Sequence, residues 1–159
     1  MNRSSVIKTI MGQLNEYDIV VASTGYISRE VFRYDRDLNF YVQGSMGAAL
    51  AIGIGIALHT DRRVFVINGD GASLMSLGSM VTAQKLRLMN LYNFILDNNC
   101  HESTGGQPTA SDCIDFCRLY FNTIVYEIGK DETIPPRITL IPKQIAERFK
   151  NALLCQQVK

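Results

Sequence analysis

Nowhere in the 159 residues is there an uncharged, largely apolar run longer than Met46–Leu58. Spanning a bilayer takes roughly 20 apolar residues, so no membrane partner is expected. Met1–Ser5 lead straight into an amphipathic stretch without the apolar core of a signal peptide, and a cytoplasmic location is expected. Clusters of Lys and Arg are missing, and the formal net charge is only +1. That argues against nucleic acid or an anionic surface as partner. Cysteine is scarce: Cys100, Cys113, Cys117 and Cys155. A domain of this size does not need disulfides. Cys113 and Cys117 are expected on one helix face, but no second Cys/His pair completes a metal site with them. Repeats, low-complexity tracts and linkers are absent, so residues 1–159 are read as one domain. Two nucleotide signatures are also lacking. Gly53-Ile54-Gly55-Ile56-Ala57-Leu58 has no third glycine and no strand directly before it, and no Gly-Lys-Ser/Thr occurs.

What is present is a globular composition, 47% apolar and 19% charged, with alternating helical and strand patterns. Val6, Ile7, Ile10, Met11 and Leu14 predict a helix over 3–14. Residues 18–23 predict a strand that turns at Thr24-Gly25, and 28–32 a short helix capped by Ser28. Strands are expected at 39–42, 63–67, 91–96 and 123–128. Helices are expected at 46–58, 74–88 and 112–121, and a last one opened by Pro142, with Ile145, Phe149 and Leu153 on one face. Within 46–58, Gly53 and Gly55 weaken a helix unless it is buried and closely packed. Strands apolar on both faces and separated by helices predict an α/β fold in three layers, a mostly parallel sheet flanked by helices. Ligands on such sheets bind beyond the carboxyl ends of the strands, which singles out residues 23–26, 68–73 and 97–107.

Gly69-Asp70-Gly71-Ala72 lies between a strand and a helix. Glycines there let the backbone approach a ligand, and free amides at a helix start can hold a phosphate. A carboxylate beside a phosphate calls for a bridging cation, and Mg²⁺ is the usual oxygen-seeking choice. An ordinary tight turn has the same sequence. Another strand ends in Asp97-Asn98-Asn99-Cys100-His101, from which Asn98 could reach the same cation. A third segment, Gly44-Ser45-Met46-Gly47, precedes the small-residue helix.

Gly-Asp-Gly with an Asn at a later strand end resembles the signature of thiamine-diphosphate enzymes. Gly44–Gly47 resembles their segment that sets a bulky apolar residue between the cofactor's rings, with Met46 as the wedge. Together with Ser23-Thr24-Gly25, Ser28-Arg29-Glu30 and His101-Glu102-Ser103-Thr104-Gly105-Gly106-Gln107-Pro108-Thr109, these motifs look like the phosphonopyruvate and sulfopyruvate decarboxylases. The resemblance runs from about residue 5 to about residue 125. It implies the thiamine-diphosphate-binding fold, with thiamine diphosphate and Mg²⁺ as cofactors. By match, Asp70 and Asn98 would be side-chain metal ligands and Cys100 would supply a backbone oxygen. Amides of Gly71, Ala72 and Ser73 would hold the diphosphate, with Thr24, Gly25, Gly44, Ser45, Met46 and Gly69 lining the rest. His101 would contact the substrate's acidic group or shuttle a proton. Asp97 is read as structural, and His59 as a surface residue at a helix end.

In this family a glutamate on a separate pyrimidine domain handles a cofactor proton. The motifs here are all of the diphosphate kind. The resemblance therefore implies a subunit that decarboxylates a small acidic 2-oxo acid only with a pyrimidine-domain (alpha) partner, in a hetero-oligomer with two or more copies of each chain. A cofactor-binding module without turnover, or a subunit of a carboligase or oxidoreductase, are the alternatives. Pro135-Pro136-Arg137 arrives where the family has a further helix and strand, so the C-terminal third is expected to lack one unit.

Overall fold

The computed structural model describes residues 1–131 and 133–155. Five parallel strands form its centre: β1 (Ile19–Ala22), β2 (Asn39–Tyr41), β3 (Val64–Gly69), β4 (Leu91–Asp97) and β7 (Thr123–Glu127). They lie in the order β2-β1-β3-β4-β7. A two-residue antiparallel pair, β5 (Cys100–His101) and β6 (Gln107–Pro108), stands apart from that sheet.

Alternation along each strand builds two cores. Ile19, Val21, Val64, Val66, Leu91 and Ile95 face one layer, with Leu50 and Ile54 of α3 (Ala48–Ala57), Met80 of α5 (Leu77–Leu86) and Phe116 of α6 (Phe116–Leu119). Val20, Ala22, Phe65, Ile67, Phe94 and Leu96 face the other, with Val6, Ile7 and Ile10 of α1 (Arg3–Gly12) and Val31 of α2 (Tyr26–Phe32). Both faces are therefore dry from β1 to β4, which is why those strands read as apolar runs rather than alternating ones, while the edge strand β7 is partly exposed. α7 (Pro142–Cys155) packs beside β2 and sends Ile145 to one core and Phe149 to the other.

The small residues of α3 have a steric cause. A Cβ on Gly53 would lie 2.3 Å from Val66 Cγ2, so only glycine lets this helix approach β3 so closely. The opposite face, with Ala51 and Gly55, is exposed. The helix is thus buried on one side, not all round.

Several boundaries differ from the sequence expectations. α1 stops at Gly12 and is capped by Asn2, whose side chain accepts from the Ser5 amide at 2.9 Å. α2 starts at Tyr26 with Gly25 as cap. Ser28 lies inside it, buried, and donates to the Gly25 carbonyl at 3.1 Å. The helix expected at 74–88 is two, α4 (Asp70–Leu74) and α5, broken at Met75-Ser76. The helix expected at 112–121 is a 3-10 turn at Ser111–Cys113 followed by the short α6. Cys113 and Cys117 consequently belong to different elements and share no helix face. Between β7 and α7 no strand occurs among the described residues. His59 is exposed past the end of α3, its Nδ1 2.8 Å from the Gly55 carbonyl oxygen.

Candidate active site at the carboxyl edge of the sheet

β1 pairs with β2 on one side and β3 on the other, so successive connections leave it in opposite directions. A crevice opens at the carboxyl ends of strands wherever this reversal occurs. Here a cleft of about 100 Å³ lies at that point, reached by Thr24 after β1, Gly69–Ala72 after β3, and Asn98 and Cys100–Thr104 after β4.

Asp70 opens α4 and is 2% exposed. One carboxylate oxygen accepts from Thr109 Oγ1 at 2.5 Å. Burial pushes its pKa up, against the hydrogen bond from Thr109, and the nearby charge of Asp97 raises it further. Backbone amides of Gly71 and of Asp70 itself act the other way. Among the described residues none of the ion pairs includes Asp70. A buried carboxylate without a cation is costly, and a bound cation would remove that cost.

Asn98 follows β4. Its Nδ2 donates to Glu102 Oε2 at 3.2 Å, and its Oδ1 accepts from the Cys100 amide at 3.2 Å. Among the described residues no three His, Cys, Asp or Glu side chains gather as a metal cluster. The cleft lining holds two carboxylates, Asp70 without an ion pair among the described residues and Glu102 paired with Arg3, beside the Asn98 amide; the donors open to a cation are thus oxygens. Such a set suits a hard cation that completes its shell with phosphate and water, as Mg²⁺ does, and not a thiolate-seeking metal.

Gly71 lines the cleft. A Cβ there would lie 2.5 Å from His101 Cε1 and 3.1 Å from Met46 Cε. Met46, Gly71 and His101, distant in sequence, thus meet at one spot. Met46 is 38% exposed, which leaves it free to contact a ligand rather than fill the core. Gly44 joins the loop after β1 through its amide, which donates to Thr24 Oγ1 at 3.2 Å.

Of the residues singled out in the sequence, Thr24, Met46, Gly69, Asp70, Gly71, Ala72, Asn98, Cys100 and His101 line the cleft. Gly25, Gly44, Ser45 and Ser73 do not. Ser73 is buried, and its hydroxyl has no partner among the described residues. Asp97 holds the loop: its carboxylate accepts from the Asn99 amide at 3.0 Å and from Ser111 Oγ at 2.9 Å. Sequence reasoning gave no role to Thr109, Arg3 or Glu102. Thr109 ended a motif already marked, but its contact with Asp70 spans 39 residues. Arg3 sat unremarked in the first turn of a surface helix, yet it is 2% exposed and lines the cleft.

A doubly covered parallel sheet, with a buried acid and close-approach glycines at its switch point, defines a cofactor-binding α/β domain. Residues 23–127 match the family described as thiamine pyrophosphate enzyme, C-terminal TPP binding domain. The chain belongs to that family. It is similar to a phosphonopyruvate decarboxylase of Streptomyces hygroscopicus, with 45% identity over 114 residues, 71% of this chain and 28% of that one. It is also similar to a sulfopyruvate decarboxylase subunit beta of Methanocaldococcus jannaschii, with 38% identity over 152 residues, 95% of this chain and 77% of that one. The chain thus spans less than a third of the first relative and most of the second. An X-ray structure from Mycobacterium smegmatis, described as thiamin diphosphate-dependent, shares the fold at a TM-score of 0.62 and 18% identity, covering 97% of this chain and 29% of that one. No helix among the described residues is long and apolar enough to cross a membrane.

Proposed function

We propose that this chain is the diphosphate-binding subunit of a thiamine-diphosphate-dependent decarboxylase acting on a small acidic 2-oxo acid of the sulfopyruvate or phosphonopyruvate type. The observation that carries the reading is Asp70, a buried carboxylate without an ion-pair partner among the described residues, set at the switch-point cleft beside Asn98 and Gly71. Asp70, Asn98 and the Cys100 carbonyl would hold Mg²⁺, whose charge would offset that of Asp70 and part of that of the diphosphate. The backbone at Gly71, Ala72 and Ser73 receives the diphosphate. Met46 supports the cofactor's rings, and His101 faces the substrate's acidic group or moves a proton there. When bound, the cofactor supplies the ring that stabilises the carbanion left by loss of carbon dioxide.

A second chain completes the site. Ligand pockets enclose roughly 300–1,000 Å³, whereas this cleft offers about 100 Å³. The rest of the enclosure, and the glutamate that the family places on its pyrimidine domain, come from an alpha partner. The exposed Met46, Met75 and outer face of α3 give that partner an apolar surface. The relative named as subunit beta supports this division. We place residues 1–159 in one diphosphate-type domain and the complex, two or more copies of each chain, in the cytoplasm, in keeping with four free cysteines.

The test is carbon dioxide release from sulfopyruvate and phosphonopyruvate by this chain alone, by a copurifying pyrimidine-domain chain alone, and by the mixture, with Mg²⁺ and thiamine diphosphate. Activity only in the mixture is expected. Activity from this chain alone at high purity removes the split-site reading. Cofactor binding without turnover in any mixture would favour a binding module.

A further inference from the structure

We propose that Glu102 and Arg3 are positioning residues that fix which end of the Asn98 amide faces the cation. This rests on the reading of Asn98 as a metal ligand. An asparagine amide has two ends of nearly equal size, and only the oxygen can ligate. The Cys100 amide donates to the oxygen end at 3.2 Å, and a partner at the nitrogen end sets the same orientation from the other side. In this structure the Asn98 nitrogen donates to Glu102 Oε2 at 3.2 Å. An ionised carboxylate only accepts, so it binds the NH₂ end and rejects the oxygen end.

Glu102 is itself held. Arg3 Nη1 donates to the same Oε2 at 2.6 Å, with the Arg3 side chain 3% and that of Glu102 18% exposed. Arg3 Nη2 pairs with Asp131 at 3.2 Å and donates to the Thr133 carbonyl at 3.2 Å. The guanidinium also lies over the Tyr26 ring at 5.1 Å. Arg3 is thus fixed from three directions, by Glu102, by Tyr26 of α2 and by the segment after β7. Its charge, shared with Asp131, also offsets part of that of Glu102 beside the diphosphate. Lysine could not replace it, because one ammonium cannot span Glu102 and Asp131 as the planar fork does.

The test is a double-mutant cycle on the full chain with any partner that copurifies. Mg²⁺ is titrated at excess thiamine diphosphate, and binding is followed by calorimetry. Thermal unfolding is recorded in parallel. Glu102→Gln should raise the half-saturating Mg²⁺ concentration 10–100-fold, the usual cost of losing an outer partner of a metal ligand. Arg3→Lys should act in the same direction and less. In an Asn98→Ala background Glu102→Gln should change nothing further, because no amide is left to orient. The same fold-change in both backgrounds, or none in the native one, overturns the proposal while leaving Asn98 as a ligand. If Asn98→Ala itself leaves the Mg²⁺ dependence unchanged, the metal reading falls and this inference with it.

Discussion

Two carboxylates, each 2% exposed, stand at opposite ends of the same sheet. Asp18 precedes β1 at the amino edge; Asp70 follows β3 at the carboxyl edge. Asp18 is fully answered by the chain. Arg63 Nε donates to it at 2.9 Å, Arg63 Nη2 forms a second short bond, and the Asn15 amide donates at 2.7 Å. Asp70 has a hydroxyl from Thr109 and no ion-pair partner among the described residues. The amino edge also closes with uncharged groups. Tyr120 donates to the Leu88 and Leu91 carbonyls at 2.7 and 2.6 Å, and Asn90 Nδ2 donates to the carbonyls of Ala57, Thr60 and Arg62. The contrast lies in the charges: the structural edge pairs its buried carboxylate internally, although Asn39 Nδ2 and Thr123 Oγ1 there have no partner among the described residues, whereas the functional edge leaves a charge for a ligand to answer.

The largest effect should come from the unanswered acid. Asp70→Ala is expected to abolish Mg²⁺-dependent binding of thiamine diphosphate by calorimetry while leaving the unfolding midpoint equal to or above the parent. A large loss of stability with retained binding would reverse the contrast. Arg63→Met should do the opposite. It removes the ion-pair partner of Asp18 and leaves as a nearby cation Arg36, which donates to the Asp18 carbonyl, at a cost of about 3 kcal/mol in urea unfolding, with cofactor affinity unchanged. Gly71→Ala sharpens the functional edge. The new methyl would meet the His101 ring and Met46, so cofactor affinity should fall about tenfold, about 1.4 kcal/mol, with little change in stability.

The smallest effect belongs to Tyr120. Burial raises its pKa from 10.0 to about 12, so the folded chain retains a proton that the unfolded chain loses first. Its contribution is complete below pH 10 and is lost as pH rises from 10 towards 12. Tyr120→Phe should cost about 1 kcal/mol at neutral pH and flatten the alkaline loss of stability. A profile equally steep in both proteins would remove Tyr120 as its cause.

Much of the functional edge was legible because its residues sit where a strand ends. Gly69–Ala72 and Asn98 are marked by their glycines, their charge and the apolar runs before them, and all of them line the cleft. Short-range geometry was less legible. Ser28 has a capping side chain, but the positive φ of Gly25 starts α2 two residues before Ser28. The helices expected at 74–88 and 112–121 break where side-chain periodicity alone gave no sign. Arg3, Glu102 and Thr109 were out of reach for a different reason. Arg3 meets Glu102 across 99 residues and Thr109 meets Asp70 across 39, which no local spacing encodes, and Glu102 meets Asn98 four residues away only through the shape of an irregular loop.

By itself the sequence determined the layer order, the parallel sheet and the three loops that form the cleft. Those follow from apolar periodicity and from the rule that ligands bind at strand carboxyl ends, both of which act along the chain. Only the tertiary structure decided which acid is paired, that Met46 and His101 converge on Gly71, and that Arg3 is buried behind Asn98. Those outcomes depend on strand order. Placing β1 between β2 and β3 opens the cleft, and pairing β3 with β4 brings the ends of those two strands together. Segments far apart in sequence then share one low-dielectric space, where a charge must find a partner or wait for one.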